Sequence, residues 1–159
     1  MHAEALNRLN PSGETIQVGS TRIRFLVTGA DSEGSVAIFE MGVPSGEQIP
    51  SPYHSHDSYE ETIYGVEGVT TWTVNGKPID VRPGQALCIR RGEVHGFANN
   101  GEIDALALAV VSPAVIGPEF FREISAILST GLDPATARAK IGETMRHHGL
   151  TPVPPAAAG

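Results

Sequence analysis

Residues 53–68 read YHSHDSYEETIYGVEG. The chain has six histidines in 159 residues, yet His54 and His56 stand one residue apart here, and the pair Glu60-Glu61 follows directly. On a strand, side chains at i and i+2 point to the same face, so His54 and His56 project together while Ser55 points away. Two imidazoles facing one space suit a divalent transition metal, and a carboxylate from the glutamate pair adds an anionic oxygen donor. Such a set fits iron, manganese, nickel, copper or zinc. An H-x-H pair can equally be solvated or hydrogen-bonded, so the surrounding sequence has to decide.

On both sides of this stretch the chain reads as short strands and turns. TIQVGS, TRIRFLVTGA and SVAIFEMGV alternate apolar with polar residues, and TTWTVNGKPIDV is two runs joined at Asn75-Gly76, the strongest local signal for a two-residue hairpin. ALCIRRGEVHGFANN and IDALALAVV continue the rhythm of about ten residues per strand, which is that of a sandwich or barrel. If such a sheet curls, strands distant in sequence meet across its interior, and His95 can join the other two histidines.

After Ser112 the period changes. Phe120, Phe121, Ile124, Ile127 and Leu128 form one apolar stripe of a helix ending near Gly131. Asp133-Pro134 reads as an N-cap followed by proline at the first helical position. Ala137, Ile141 and Met145 then line a second helix that stops at Gly149. The stripe has to be buried, on the outside of the barrel or in a dimer contact. TPVPPAAAG has no period and is expected to be a tail whose removal leaves folding unchanged.

The whole chain, 40% hydrophobic, suits one domain, since domains run to about 100–200 residues. With 11 Lys+Arg against 18 Asp+Glu, a formal net charge of −7 and no basic run, the footprint of a nucleic-acid binder is missing. ALALAVV is far short of the roughly 20 residues that span a bilayer, and the polar start does not resemble a signal peptide, so a soluble, cytoplasmic protein is expected. The lone Cys88, in the apolar run ALCI, is expected to be a small buried core residue.

Two linked motifs carry a resemblance. Residues 54–68 are H-x-H-x4-E-x6-G, and residues 84–99 are G-x5-R-x-G-x2-H-x3-N. Together they resemble the two signature motifs of the cupin superfamily. The resemblance implies an all-β protein, a single cupin barrel (a double-stranded β-helix or jelly roll) over 15–112. An N-terminal arm (1–14), a segment of two C-terminal helices (113–149) and a Pro/Ala-rich tail (150–159) complete the division. It also implies one divalent transition metal per chain (Fe, Mn, Ni, Zn or Cu) on His54, His56, Glu61 and His95. Glu61 is preferred to Glu60 because it keeps the six-residue spacing to Gly68.

The chain departs from the family pattern in two further ways. Gly46 stands eight residues before His54, which implies a longer approach loop, and Arg90 stands where proline is usual, so the turn before His95 loses a fixed φ. By strand parity Ile63 shares the inward face of Glu61, and Phe97 that of His95, making both pocket walls. Tyr53, Tyr59, Tyr64 and Trp72 are given no role, and Arg90 is read as a solvated charge.

Four protein ligands leave positions open on a metal that prefers five or six. The resemblance therefore implies a metal-dependent (di)oxygenase, similar to quercetin-dioxygenase-like cupins, acting on a small phenolic or enolic molecule. The alternatives are a Lewis-acid isomerase, lyase or decarboxylase, or a binding protein without turnover. A homodimer is also expected, because cupins often pair and the strand TIQVGS would otherwise leave an exposed edge.

Overall fold

The computed structural model describes residues 13–48 and 52–154. Eleven strands and two helices follow in the order β1 (Thr15–Val18), β2 (Thr21–Val27), β3 (Ala37–Val43), β4 (His54–His56), β5 (Glu60–Glu67), β6 (Thr70–Val74), β7 (Lys77–Val81), β8 (Ala86–Ile89), β9 (His95–Ala98), β10 (Ala105–Ser112), α1 (Pro118–Ser129), α2 (Pro134–His147) and β11 (Leu150–Pro152). One sheet has the order β1-β2-β3-β10-β5-β8 and the other β11-β4-β9-β6-β7. Every pairing between named strands is antiparallel. The sheets face one another without closing into a complete barrel.

Strict alternation of burial along β3, β6 and β10 shows why these sequences form half-buried strands. Phe39, Met41, Ala107, Ala109, Ile63 and Trp72 turn inward and are almost wholly buried. The β6–β7 hairpin turns at Asn75 and Gly76, which have φ of 48° and 78°. Positive φ at both central residues is what a two-residue hairpin of this kind requires, and Asn-Gly supplies it at low cost.

The helices begin and end where the sequence indicates. Asp133 caps α2, its Oδ1 accepting from the Thr136 N–H at 3.0 Å, and Gly131 and Gly149 take positive φ after the two helices. Their destination differs from the expectation of an outside cover or a dimer contact. α1 packs on β1, α2 packs on β11, and the helices pack on each other. The pair therefore runs from the edge of one sheet to the edge of the other and closes the open side of the sandwich. Phe121 enters between the sheets, its ring centroid 5.8 Å from that of Phe25 and 5.2 Å from that of Phe39. α1 also lies against β1, the outermost strand of its sheet.

Two more readings are corrected. Leu150–Pro152, assigned to the tail, forms β11 and pairs with β4, with Leu150 opposite His56 and Pro152 opposite His54. The Val153 N–H donates to the Tyr53 carbonyl at 2.7 Å, and the Thr151 hydroxyl to Asp57 at 2.8 Å. Cys88 is exposed, not buried. In β8 it is Leu87 and Ile89 that turn toward the core, a parity that an unbroken apolar run conceals. Residues 1–12 of the expected arm, residues 49–51 of the approach loop and residues 155–159 of the tail lie outside the described residues. Among the described residues no helix is long and apolar enough to cross a membrane.

Candidate metal centre

The smaller sheet supplies three imidazoles. His54 and His56 lie on β4, and His95 lies on β9 with its Cα paired to that of His54. One ring nitrogen from each lies within 4.8 Å of the others, and the ring centroids are 4.5–5.1 Å apart. Glu61 reaches the same point from β5 of the opposite sheet, its Oε2 3.4 Å from His95 Nε2 and 3.7 Å from His56 Nε2. The three expected histidines are thus brought together, and Glu61 stands beside two of them. Glu60 faces outward, where its carboxylate accepts from Arg91 Nε at 2.7 Å.

Backbone carbonyls orient two of the rings. His95 Nδ1 donates to Glu93 O at 2.9 Å and His54 Nδ1 to Pro52 O at 3.1 Å, which leaves each Nε2 with its lone pair toward the centre. The turn that holds Glu93 works without the proline usual in the family. The Glu93 carboxylate accepts from the Arg90 backbone N–H at 2.8 Å and from the Arg90 guanidinium at 3.1 Å, while the Gly92 N–H donates to His56 O at 2.8 Å. Arg90 is solvent-exposed, in keeping with its reading as a surface charge. Asn99, the last residue of the second motif, is fully buried, and its amide donates to Val43 O and Ile103 O at 2.9 Å each. It pins the end of β9 and takes no part in the site.

His56 is held differently. Neither of its ring nitrogens has a hydrogen-bond partner, nor has the hydroxyl of Tyr59, and both residues are buried. The two rings stack with centroids 4.2 Å apart and planes 19° from parallel. Sequence reading gave Tyr59 no role. Its spacing from His56 was the available signal, but i+3 on an irregular stretch between two strands has no parity to interpret.

Burial shapes the charges. It holds His54 and His56 neutral, down to about 4 and about 3, with the neighbouring His95 adding to the effect at His54. At His95 burial acts in the same direction, but the adjacent Glu61 carboxylate outweighs it and raises the pKa. Burial likewise opposes ionisation of Glu61, and the surrounding imidazoles overcome it, so its pKa falls. Burial and then the Glu61 charge push the Tyr59 phenol up, keeping it protonated.

The donor set fits a divalent transition metal. Imidazole and carboxylate are its usual ligands, and the partnerless buried Nε2 atoms of His56 and His95 are otherwise a cost with no compensation. The cluster opens onto a cavity of about 80 Å³. Phe39 and Met41 line it from the larger sheet, Trp72 and Phe97 from the smaller, and Phe121 and Ile124 from α1. Phe97 is thus a wall residue, stacked 4.5 Å from Trp72. Ile63 is fully buried in the core and does not line the cavity. Trp72, given no role from sequence, does line it; an inward position on a half-buried strand suits core and pocket alike.

Residues 39–111 match the family described as Cupin domain. With the fold and the two motifs, this identifies the chain as a member of the cupin superfamily. Over 112 residues it is 25% identical to a quercetin 2,3-dioxygenase of Bacillus subtilis (strain 168), a match covering 70% of this chain and 32% of that protein. The chain thus spans about a third of that relative's length. A predicted oxalate decarboxylase from Thermotoga maritima superposes with a TM-score of 0.58 at 23% identity, over 66% of this chain and 97% of that one. A sugar phosphate isomerase from Silicibacter pomeroyi gives 0.54 at 17% identity, over 64% and 71%. At these identities the likeness to the solved structures is one of fold.

Proposed function

We propose that this protein is a metal-dependent oxygenase acting on a small phenolic or enolic molecule, with His54, His56, His95 and Glu61 as the metal ligands. The observation that carries the reading is the convergence of three imidazoles and one buried carboxylate on an otherwise apolar, aromatic-lined cavity. The partial likeness to a quercetin 2,3-dioxygenase supports the same chemistry. A redox-active transition metal held by these residues would supply Lewis-acid and electron-transfer chemistry.

The chain's own residues do the rest. The carbonyls of Pro52 and Glu93 hold the His54 and His95 rings in one tautomer. Glu61 stays ionised and adds negative charge from across the sandwich. Trp72 and Phe97 offer aromatic surface beside the cluster, and α1 adds apolar side chains to the wall, whose low polarity strengthens electrostatic interactions within.

Elemental analysis of the purified protein, followed by an oxygen-electrode assay with catechols, flavonols and β-diketones, tests the proposal. Bound transition metal and oxygen uptake that stops on chelation and in His95→Ala are expected. Product formed without oxygen uptake replaces the oxygenase by a Lewis-acid enzyme. Binding without product leaves a binding protein.

A further inference from the structure

We infer that the cavity beside the histidine cluster selects a small molecule that brings an ionisable oxygen to the metal and rejects molecules that carry a second charge away from it. The inference rests on the proposed function only in taking a metal to be held by His54, His56, His95 and Glu61; it does not require oxygen to be consumed. Among the described residues that line the cavity there is no lysine or arginine. Outside the cluster Thr21 is the one side chain with a hydroxyl, and the walls are otherwise aliphatic, aromatic or thioether surface. The Trp72 indole N–H is already donated to Thr70 Oγ1 at 3.0 Å, so it is not free for a guest.

Charge accounting then limits what can enter. A divalent metal with three neutral imidazoles and one ionised carboxylate carries a single positive charge. One ionised oxygen, such as a phenolate or an enolate, cancels it. A second anionic group away from the metal, as in a sugar phosphate, finds no counter-charge in the wall and loses its hydration on entry, a cost nothing there offsets. The formal net charge of −7 acts in the same sense at longer range.

Size limits it further. The cavity of about 80 Å³ is smaller than the engineered cavity of roughly 150 Å³ that holds benzene. A single ring already requires the side chains of the wall to give way, and fused rings require more. The fold shared with a sugar phosphate isomerase therefore comes here with a wall that does not suit a second anionic group.

Trp72 is the chain's only tryptophan and lines the cavity, so its fluorescence reads occupancy without turnover. The full-length, metal-loaded protein is titrated anaerobically with catechol, 2,3-dihydroxynaphthalene and glucose 6-phosphate, with calorimetry in parallel. Catechol is expected to bind saturably and at least tenfold more tightly than each of the other two. In Ile124→Ala, which widens the α1 wall, the gap between catechol and 2,3-dihydroxynaphthalene is expected to narrow while the gap to glucose 6-phosphate stays. Glucose 6-phosphate binding as tightly as catechol overturns the inference, as does the absence of saturable catechol binding. If Ile124→Ala does not fold, the wild-type ranking alone decides. Selective catechol binding without oxygen uptake in air sinks the oxygenase reading and leaves this one standing.

Discussion

Glu61 turns inward on β5 to stand 3.4 Å from His95 Nε2, and its neighbour Glu60 turns outward to Arg91. Glu61→Gln exchanges an anionic donor for a weaker neutral one and should reduce metal affinity by at least the about 10–100-fold that losing a more distant supporting group brings. Glu60→Gln should leave metal content unchanged; elemental analysis of both variants showing the reverse order would move the ligand to Glu60. Tyr59 belongs to the same scale. Two imidazoles are oriented by carbonyls and the third by stacking on its ring, so Tyr59→Leu should weaken metal binding by about 10–100-fold while Tyr59→Phe, which keeps the stack, retains it. Equal loss in both variants, measured by competition with a chelator, would mean that the hydroxyl matters and the stack does not. The inward pairing of His54 with His56 and the opposite facing of Glu61 and Glu60 could be read from the sequence, because parity and motif spacing involve only neighbours. Cys88 and Tyr59 could not, because an all-apolar run and an irregular connection leave parity undefined.

β11 is three residues long, and nothing local marks it as a strand. It exists because α2 delivers it to the free edge of β4, the strand that carries His54 and His56. Leu150 is also buried and lines the cavity, and full burial of such a side chain is worth about 1.5–3 kcal/mol. Truncation after Gly149 should therefore lower both the melting temperature and the metal content, the second because β4 loses the strand on its outer side. Leu150→Ala alone should cost about 2–5 kcal/mol. A truncated chain that melts like the full one with full metal occupancy would show that β4 needs no such support. The same reasoning explains what the sequence could and could not reveal about the helices. Phe120, Phe121 and Ile124 announce that one face of α1 must be buried. Whether it meets a barrel wall, a second subunit or the gap between two sheets depends on where the edges of β1 and β11 lie, which no local pattern encodes.

The three imidazoles lie on one sheet and the Glu61 carboxylate beside them on the other, so a metal held by all four would tie the halves of the molecule together. Removing it should lower the melting temperature, since anything that binds only the folded state stabilises that state. The chelated protein should then respond to acid in a defined direction. In the folded chain His54 and His56 remain neutral down to about 4 and about 3, because burial disfavours their charged forms, whereas in the unfolded chain they take up protons near 6.5. Between those limits the unfolded state binds more protons than the folded one. Stability is therefore fully present above about pH 6.5 and is lost as pH falls toward 4, with a slope of up to about 1.4 kcal/mol per pH unit for each histidine. His95 works against this, because Glu61 raises its folded pKa and so favours the folded state on acidification, but it is one group against two. Chemical denaturation of the chelated protein at pH 7, 6 and 5 should show a steadily falling midpoint. A constant or rising midpoint would mean that the imidazoles take up protons in the folded state as readily as in the unfolded one, against the burial of His56 and His95.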